Sequence, residues 1–240
     1  MAGLVEAIVS GELPEGSTLP NESELMGRFG VSRTALREAM QFLTAQGMVR
    51  ARTRAGTVVV AAAEWNFLDP IVLDAALRHR ANTSFYEALL EARALLEPEA
   101  AGLAAARATA RQVARIEDAF LAMLDSGSRD AEAWSRADLD FHTAIIDASG
   151  NWIYRHFASA IRAALLVTFR LTHRHTVSHG EVVAMHREVL EAIRLRKPDE
   201  AAAAMRVLIR LARKELAVVL EAAVSDGPLP VLRGAGSSLV

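Results

Sequence analysis

The chain has 240 residues, of which 52% are hydrophobic and 23% are charged, and its formal net charge is −2. This length predicts about two domains, and the apolar content excludes a disordered chain. The absence of cysteine excludes disulfides and cysteine-based zinc sites, and it fits a reducing cytoplasm. No segment reaches the roughly 18 uncharged apolar residues of a membrane helix, and the first residues lack the basic start of a signal peptide. We therefore expect a cytoplasmic protein with no membrane partner.

The first 50 residues or so predict three short helices. Residues 4–10 form the first. Asn21 is a typical N-cap residue and Glu24 follows three positions later, which is the pattern of a capping box at the start of the second helix. Ser32 is the predicted N-cap of the third helix, and Gly47 ends it. The apolar positions of this third helix recur at helical spacing: Leu36, Ala39, Met40 and Leu43.

After residue 47 the pattern changes from helical to alternating, and the stretch MVRARTRAGTVVV predicts a β-hairpin with a basic tip. Helix, helix–turn–helix and hairpin in this order are the layout of a winged helix, which we place at residues 1–62. Residues 28–60 contain six Arg and one Glu, a local charge of +5. This asymmetry is typical of a nucleic-acid-binding surface, although a solvated face would carry the same charge.

The helix that opens at Ser32 carries the DNA-binding hypothesis. A helix in the major groove reads bases with residues near its N-terminus, while its cap and first turn contact phosphate. Arg33 and Arg37 lie one turn apart on one face, and each could make a bidentate contact with guanine. An ordinary helix with two exposed arginines would look the same, but the turn length, the capping box and the basic hairpin together favour DNA. The predicted DNA-contacting residues are Ser32, Arg33, Thr34 and Arg37 in the helix, and Arg52, Arg54 and Gly56 in the wing.

The rest of the chain predicts a helical domain behind a connector. Residues 63–70 include Trp65 and Phe67, so we expect this connector to pack on other parts of the chain. From residue 71 to residue 224 the sequence is alanine-rich and predicts an all-α domain, and residues 225–240 predict a disordered tail. The predicted fold class is therefore mainly α, with an N-terminal winged helix-turn-helix and a C-terminal helical bundle. Helices are expected near 71–79, 84–107, 110–125, 130–148, 151–175, 180–196 and 199–223.

Four residues of the helical half can form a binding site. In RADLDFHTAIIDASGN, Asp138 and His142 are four residues apart, so they share a helix face and can ligate one metal ion. Most such pairs are surface ion pairs, which is the alternative. His186 opens another amphipathic helix, and Arg93 lies on an alanine-rich helix that should be largely buried. A buried arginine needs an anion, either a glutamate of its own helix or a ligand carboxylate. The glutamates near it in sequence are Glu91 and Glu97.

The N-terminal motifs resemble the DNA-binding head of the GntR family over about 50 residues, which implies a homodimer that binds a palindromic DNA operator. Two departures are a shorter first helix and Ser23, where some members carry a basic DNA-contacting residue. The positions that fit the family pattern are Gly16, Leu19, Pro20, Glu22, Leu25, Gly30, Val31, Ser32, Arg33, Arg37, Glu38, Ala39, Leu43, Gly47, Gly56 and Thr57.

Most of residues 70–215 resemble the FCD effector domain of the FadR-type branch of this family. The resemblance implies that Asp138, His142 and His186 bind a divalent metal ion, and that a small carboxylate effector, held with Arg93, completes its coordination. The last histidine of the family pattern is replaced by Leu208, so three protein ligands remain. Three ligands suffice for Zn²⁺, with Mn²⁺ or Ni²⁺ as alternatives. The segment THRHTVSH either supplies a substitute ligand or forms an exposed helix end, and its candidates are His173, His175 and His179.

Within this branch, the stretches WNFLDPIVLDAAL and ARALLEPEAAGLAAARAT are similar to the galactonate-operon repressors. This likeness implies a sugar acid, such as an aldonate, as the effector of a ligand-responsive repressor. A metal-sensing regulator is one alternative, but the missing fourth ligand argues against it. A helical metal-dependent hydrolase is another, but no general base stands beside the ligands, so we expect no enzyme.

Overall fold

The computed structural model describes residues 1–79, 83–127, 130–158, 160–162, 165 and 179–226, and it divides into two compact units. One unit, the head, contains residues 1–79, and the other contains the described residues from 83 onward. The elements of the head are α1 (Ala2–Val9), α2 (Glu22–Phe29), α3 (Arg33–Ala45), β1 (Val49–Arg52), β2 (Gly56–Val59), a 3-10 turn (Ala62–Glu64) and α4 (Pro70–His79). The helical unit contains α5 (Thr83–Arg107), α6 (Ala110–Ser126), α7 (Ala131–Ala148), α8 (Trp152–His156), α9 (His179–Arg194) and α10 (Pro198–Asp226).

Capping residues fix where the helices of the head begin and end. Asn21 Oδ1 accepts a hydrogen bond from Glu24 N at 3.0 Å, and Glu24 Oε2 accepts one from Asn21 N at 3.1 Å, so the predicted capping box is present. Gly30 ends α2 with a φ of +62°, a conformation that glycine adopts at little cost. Ser32 Oγ accepts a hydrogen bond from Ala35 N at 3.3 Å, and α3 begins at the next residue, as predicted.

The predicted hairpin is present as an antiparallel pair whose register places Arg52 opposite Gly56. The segment before α2 joins the same sheet through a bridge between Thr18 and Val58. Gly56 has a φ of +79°, and a Cβ on it would lie 3.2 Å from Thr18 Cγ2. The turn geometry and this neighbour therefore account for the glycine without any ligand.

The fourth helix packs against the first, inside the head. Glu6 on α1 forms ion pairs with both Arg78 and His79 at the end of α4. The sequence prediction assigned residues from 71 onward to the helical domain, whereas the structure groups α4 with the head. An apolar stripe on a helix predicts burial but does not specify the partner, which is why the boundary differs. The buried residues of the two helices are Leu4, Val5, Ala7, Ile8 and Val9 on α1, and Val72, Leu73, Ala75, Ala76 and Leu77 on α4.

Small residues allow the long helices of the second unit to approach closely. α5 packs against α10 and α7, and α10 also packs against α9. A Cβ on Gly102 of α5 would lie 3.3 Å from the carbonyl oxygen of Pro198 on α10, so the two backbones almost touch. The fully buried alanines of α5 are Ala100, Ala101, Ala104 and Ala105.

The predicted fold class, mainly α with a winged helix-turn-helix and a helical bundle, is confirmed. Within the helix predicted at 151–175, the structure describes α8, a turn at 157 and helical residues at 158, 160–162 and 165. Residues 159, 163, 164 and 166–175 lie outside the described residues. Of the predicted tail, residues 225 and 226 are helical in α10, and residues 227–240 lie outside the described residues. None of the described helices is long and apolar enough to cross a membrane.

Gly47 provides a test of this architecture, because its φ is +70° and a Cβ on it would lie 2.6 Å from the carbonyl oxygen of Glu64. We expect Gly47→Ala to destabilise the head by at least about 1–3 kcal/mol, the cost of backbone strain alone. Gly27 is the matched control, since it lies in the exposed part of α2 with nothing near its Cβ position. There, alanine should stabilise by about 1 kcal/mol. Thermal and urea denaturation of both variants checks this, and shifts of the same sign would contradict it.

Candidate functional site

Three ligating side chains of the helical unit meet at one point. Asp138 and His142 lie one turn apart on α7, and His186 on α9 packs against them. One ligand atom from each lies within 4.8 Å of the other two. Both histidines are buried, and Asp138 is partly exposed. The ring of Phe141 packs edge-on against His186, with 5.2 Å between the ring centres. The structure therefore brings together the three ligands that the sequence analysis nominated.

His142 is oriented from behind by Glu97. Its Nδ1 lies 2.5 Å from Glu97 Oε2, but the two atoms are not aligned as a hydrogen bond. A carboxylate only accepts, so its nearness favours a proton on Nδ1. The Nε2 atom lies on the opposite side of the ring, 3.7 Å from Asp138 Oδ1. A carboxylate behind a histidine in this way is the usual outer shell of a metal-ligating imidazole.

The same glutamate neutralises Arg93. Glu97 Oε1 accepts a hydrogen bond from Arg93 Nε at 2.6 Å, and both side chains are almost fully buried. Burial alone would raise the pKa of the Glu97 carboxyl, but the charges of Arg93 and His142 and their hydrogen bonds lower it to about 2. Glu97 therefore stays ionised at neutral pH. Of the two glutamates proposed as partners, Glu97 is the one observed, and Glu91 lies 3.7 Å from Arg213 instead.

His186 is oriented by the backbone of its own helix. Its Nδ1 donates to the carbonyl oxygen of Val182 at 2.8 Å, which directs Nε2 toward Asp138 Oδ1 at 2.9 Å. Burial would raise the pKa of the Asp138 carboxyl, but the hydrogen bond from His186 and the charges of His142, His186 and Arg93 lower it to about 2. An ionised carboxylate that faces two imidazole Nε2 atoms is a suitable donor set for a divalent cation.

No fourth ligand joins this group among the described residues. Leu208, which replaces the histidine of the family pattern, is buried in the apolar core of the helical unit. His179 begins α9 and stacks on Trp134, with 4.2 Å between the ring centres, and it does not belong to the ligand group. His173 and His175 lie outside the described residues. The donor set thus fits a metal ion that keeps open coordination positions.

One nitrogen of Arg93 lacks a hydrogen-bond partner in the part of the chain that the structure describes. This atom is Nη1, which is fully buried. A buried guanidinium N–H without an acceptor costs free energy, so such a group is a strong candidate for anion binding. The sequence offered Glu97 as one of several alternative partners of Arg93, and it did not indicate the contact of Glu97 with His142, because that contact joins different helices. Nothing in the sequence indicates that the carbonyl oxygen of Val182 orients His186.

The residues nominated for DNA binding lie on the surface of the head. Ser32, Thr34 and Arg37 are exposed at the start of α3, and the Arg33 side chain is 68% exposed, with Nε 3.8 Å from the Glu22 carboxylate. Arg52 and Gly56 face each other at the end of the hairpin, and Arg54 sits between them with a φ of +64°. All three wing residues are exposed. The helix start and the wing tip thus offer unburied cations and hydroxyls in the order expected of a winged helix.

A winged helix-turn-helix followed by an all-helical unit is the architecture of a DNA-binding transcriptional regulator with a separate helical domain. The family model described as bacterial regulatory proteins, gntR family, matches residues 1–59, and the FCD domain model matches residues 87–211. The chain therefore belongs to the GntR family of transcriptional regulators, in the branch with an FCD effector domain. These domains and relatives are those of regulators and not of enzymes, so the hydrolase alternative is excluded.

Similar proteins agree with this assignment. The HTH-type transcriptional regulator YieP of Escherichia coli K12 is 36% identical over 86% of this chain and 89% of its own length. The galactonate operon transcriptional repressor of the same organism is 30% identical over 89% of this chain and 93% of its own. Among solved structures, a GntR protein of Streptococcus agalactiae is 25% identical, with a TM-score of 0.52 over 89% of this chain and 100% of that one.

The buried ion pair can be tested against an exposed one of the same spacing. We expect Glu97→Ala to destabilise the helical unit by about 3–5 kcal/mol, because Arg93 would remain buried without an anion. The control is Glu132→Ala, which breaks the exposed pair between Glu132 and Arg136, where the N···O distance is 3.1 Å. That change should cost no more than about 0.5 kcal/mol. Urea denaturation measures both, and equal losses would contradict the role given to Glu97.

Proposed function

We propose that this protein is a homodimeric repressor of a sugar-acid catabolic operon, released from its operator by a small carboxylate such as an aldonate. The observation that carries the proposal is the unpartnered Arg93 Nη1, buried in the same cluster as Asp138, His142 and His186. An arginine fork and a metal ion are the two groups that bind carboxylates most effectively in proteins.

The charges of the cluster favour a divalent metal ion together with one monoanion. In the metal-bound site both imidazoles would be neutral, since a ligating nitrogen cannot carry a proton. Arg93 then contributes one positive charge, and the ionised Glu97 and Asp138 contribute two negative ones. One net negative charge remains, and a divalent ion turns it into one net positive charge. A single ligand carboxylate then neutralises the site, which a buried cluster favours strongly. A dicarboxylate would leave an excess negative charge.

The residues that would hold the metal ion are Asp138, His142 and His186, with Zn²⁺ as the best fit and Mn²⁺ or Ni²⁺ as alternatives. When bound, the ion acts as a Lewis acid that attracts the carboxylate and a neighbouring hydroxyl oxygen. On metal binding, Nε2 of His186 would give up its hydrogen bond to Asp138, while Nδ1 keeps its hydrogen bond to the carbonyl oxygen of Val182. Nδ1 of His142 would stay beside Glu97, so that Nε2 of each ring could face the ion. The likeness to a galactonate operon repressor supports a sugar acid as the ligand.

At the head, the proposed base-reading residues are Arg33 and Arg37, with Ser32 and Thr34 on the adjacent phosphates. The wing residues Arg52, Arg54 and Gly56 would approach the backbone or the minor groove. Two heads related by a two-fold axis would recognise a palindrome. The effector switches the protein only if it binds more tightly to the arrangement with low operator affinity, because ligands shift equilibria by differential affinity.

The effector can be tested by thermal shift with a panel of sugar acids, with and without Zn²⁺ or Mn²⁺. A ligand present at one hundred times its Kd should raise the free energy of unfolding by about 2.7 kcal/mol, which raises Tm by a few degrees. The shift should need the metal ion, disappear in His186→Ala, and fall sharply in Arg93→Lys, which keeps the charge but loses the fork. Arg136→Lys, on the exposed face of α7, is the control.

Two results would contradict the sugar-acid proposal. A shift by metal alone, with no further effect of any acid, would favour a metal-sensing regulator. A shift by an acid that persists unchanged in both variants would place the effector elsewhere.

The DNA interface can be tested by selecting duplexes from a randomised pool with the full chain. The selected duplex should contain an inverted repeat. Arg37→Ala should weaken its binding by about 1–3 kcal/mol and relax specificity at one position of each half. Arg52→Ala should weaken all duplexes alike and reduce the salt dependence, since it removes a phosphate contact. Arg111→Ala, on the exposed start of α6, is the control. If Arg37→Ala binds the selected duplex as tightly as the wild-type chain does, the assignment of Arg37 to base reading is wrong.

A further inference from the structure

We infer that Asn66 of the connector is a positioning residue for the recognition helix α3. α3 ends at Ala45, and Gln46 is its C-cap. Asn66 N donates to the Gln46 carbonyl oxygen at 2.9 Å, and Asn66 Nδ2 donates to Gln46 Oε1 at 2.7 Å. Two parallel hydrogen bonds thus fasten one connector residue to the last turn of the helix whose first turn is proposed to read DNA.

Asn66 is itself held in place by the connector. Its Oδ1 accepts a hydrogen bond from Leu68 N at 3.1 Å. The neighbouring Trp65 is buried and donates Nε1–H to the carbonyl oxygen of Val60 at 2.9 Å. On the other side, the Glu64 carboxylate lies 2.6 Å from Arg50 of β1. The connector is therefore fastened to the wing and to the recognition helix together.

Further hydrogen bonds link the connector to α4. Asp69 N donates to the Asn66 carbonyl oxygen at 3.1 Å, and Asp69 Oδ1 accepts from Ile71 N at 2.9 Å. α4 thus begins at Pro70, four residues after Asn66, and its far end is tied to α1 through Glu6. Asn66 therefore links the start of α4 to the end of α3 within the head. The connector acts as a rigid part of the head rather than as a bending joint.

The consequence for DNA binding is specific, and it rests on the proposal that α3 reads bases. Base contacts require a side chain to be placed within about 0.5 Å, whereas long side chains reach phosphates from many positions. Loosening the end of α3 should therefore weaken sequence-specific binding and leave non-specific binding intact. A residue that merely stabilised the fold would weaken both.

The test compares the full-length variants Asn66→Ala, Gln46→Ala and the double variant. Each is measured on the duplex selected by the wild-type chain and on a random duplex of equal length. We expect each variant, including the double one, to weaken binding to the selected duplex by about 3- to 10-fold, the range of one or two hydrogen bonds. The random duplex should be bound as by wild type. The double variant should lose no more affinity than Asn66→Ala alone, because the side-chain hydrogen bond to Gln46 is already absent there. Ser10→Ala, which removes a local hydrogen bond to the Ala7 carbonyl oxygen in the same unit, should have no effect.

Amide hydrogen exchange provides a readout without DNA. Exchange at Gln46 and Gly47 should accelerate in Asn66→Ala and stay unchanged in Ser10→Ala. The role of Asn66 would be overturned by unchanged amide exchange or by additive losses of affinity in the double variant. It would also be overturned by equal losses of affinity on the selected and the random duplex. If the wild-type chain selects no sequence, the proposed DNA reading fails, and the exchange data still decide whether Asn66 holds the end of α3.

Discussion

Arg93 and Glu97 lie one turn apart on α5, and both are removed from water. Burying two charges costs free energy unless each has a partner of opposite charge. The pairing of Arg93 with Glu97 influences how the other side chains of the site are placed. Glu97 places one oxygen on Arg93 Nε and the other 2.5 Å from His142 Nδ1, which favours a proton on that nitrogen. The second nitrogen of the imidazole faces Asp138, which His186 approaches from α9. One buried ion pair on α5 thus stands behind a ligand group drawn from α7 and α9.

The packing of the helices and the chemistry of the site are linked through α5. Its alanines and Gly102 let α10 come close, so the helix that carries Arg93 and Glu97 is covered on that side by apolar contacts. Leu208 of α10 belongs to this apolar core, where the family pattern has a ligand. The substitution therefore strengthens packing while it removes a donor.

Local spacing predicted the parts of the structure that depend on one helix at a time. The capping box, the cap at Ser32, and the shared face of Asp138 and His142 all follow from short-range rules, and the structure shows each of them. His186 joined the site only through a family resemblance, because no helical period relates it to α7. The double role of Glu97 and the grouping of α4 with the head depend on tertiary contacts, which no local pattern encodes. Base contacts of Arg33 and Arg37 remain a prediction.

The net charge of the whole chain does not favour binding to DNA, but the charge of one segment does. The total is −2 and residues 28–60 carry +5, so the remaining residues carry −7. An acidic remainder repels phosphate and limits contact with nucleic acid to the basic segment, which steers the approach of the duplex. Non-specific affinity comes almost entirely from neutralised phosphates, so this arrangement keeps it low. Specific binding must then come from a few well-placed base contacts, and a rigidly held recognition helix is the structural requirement for that.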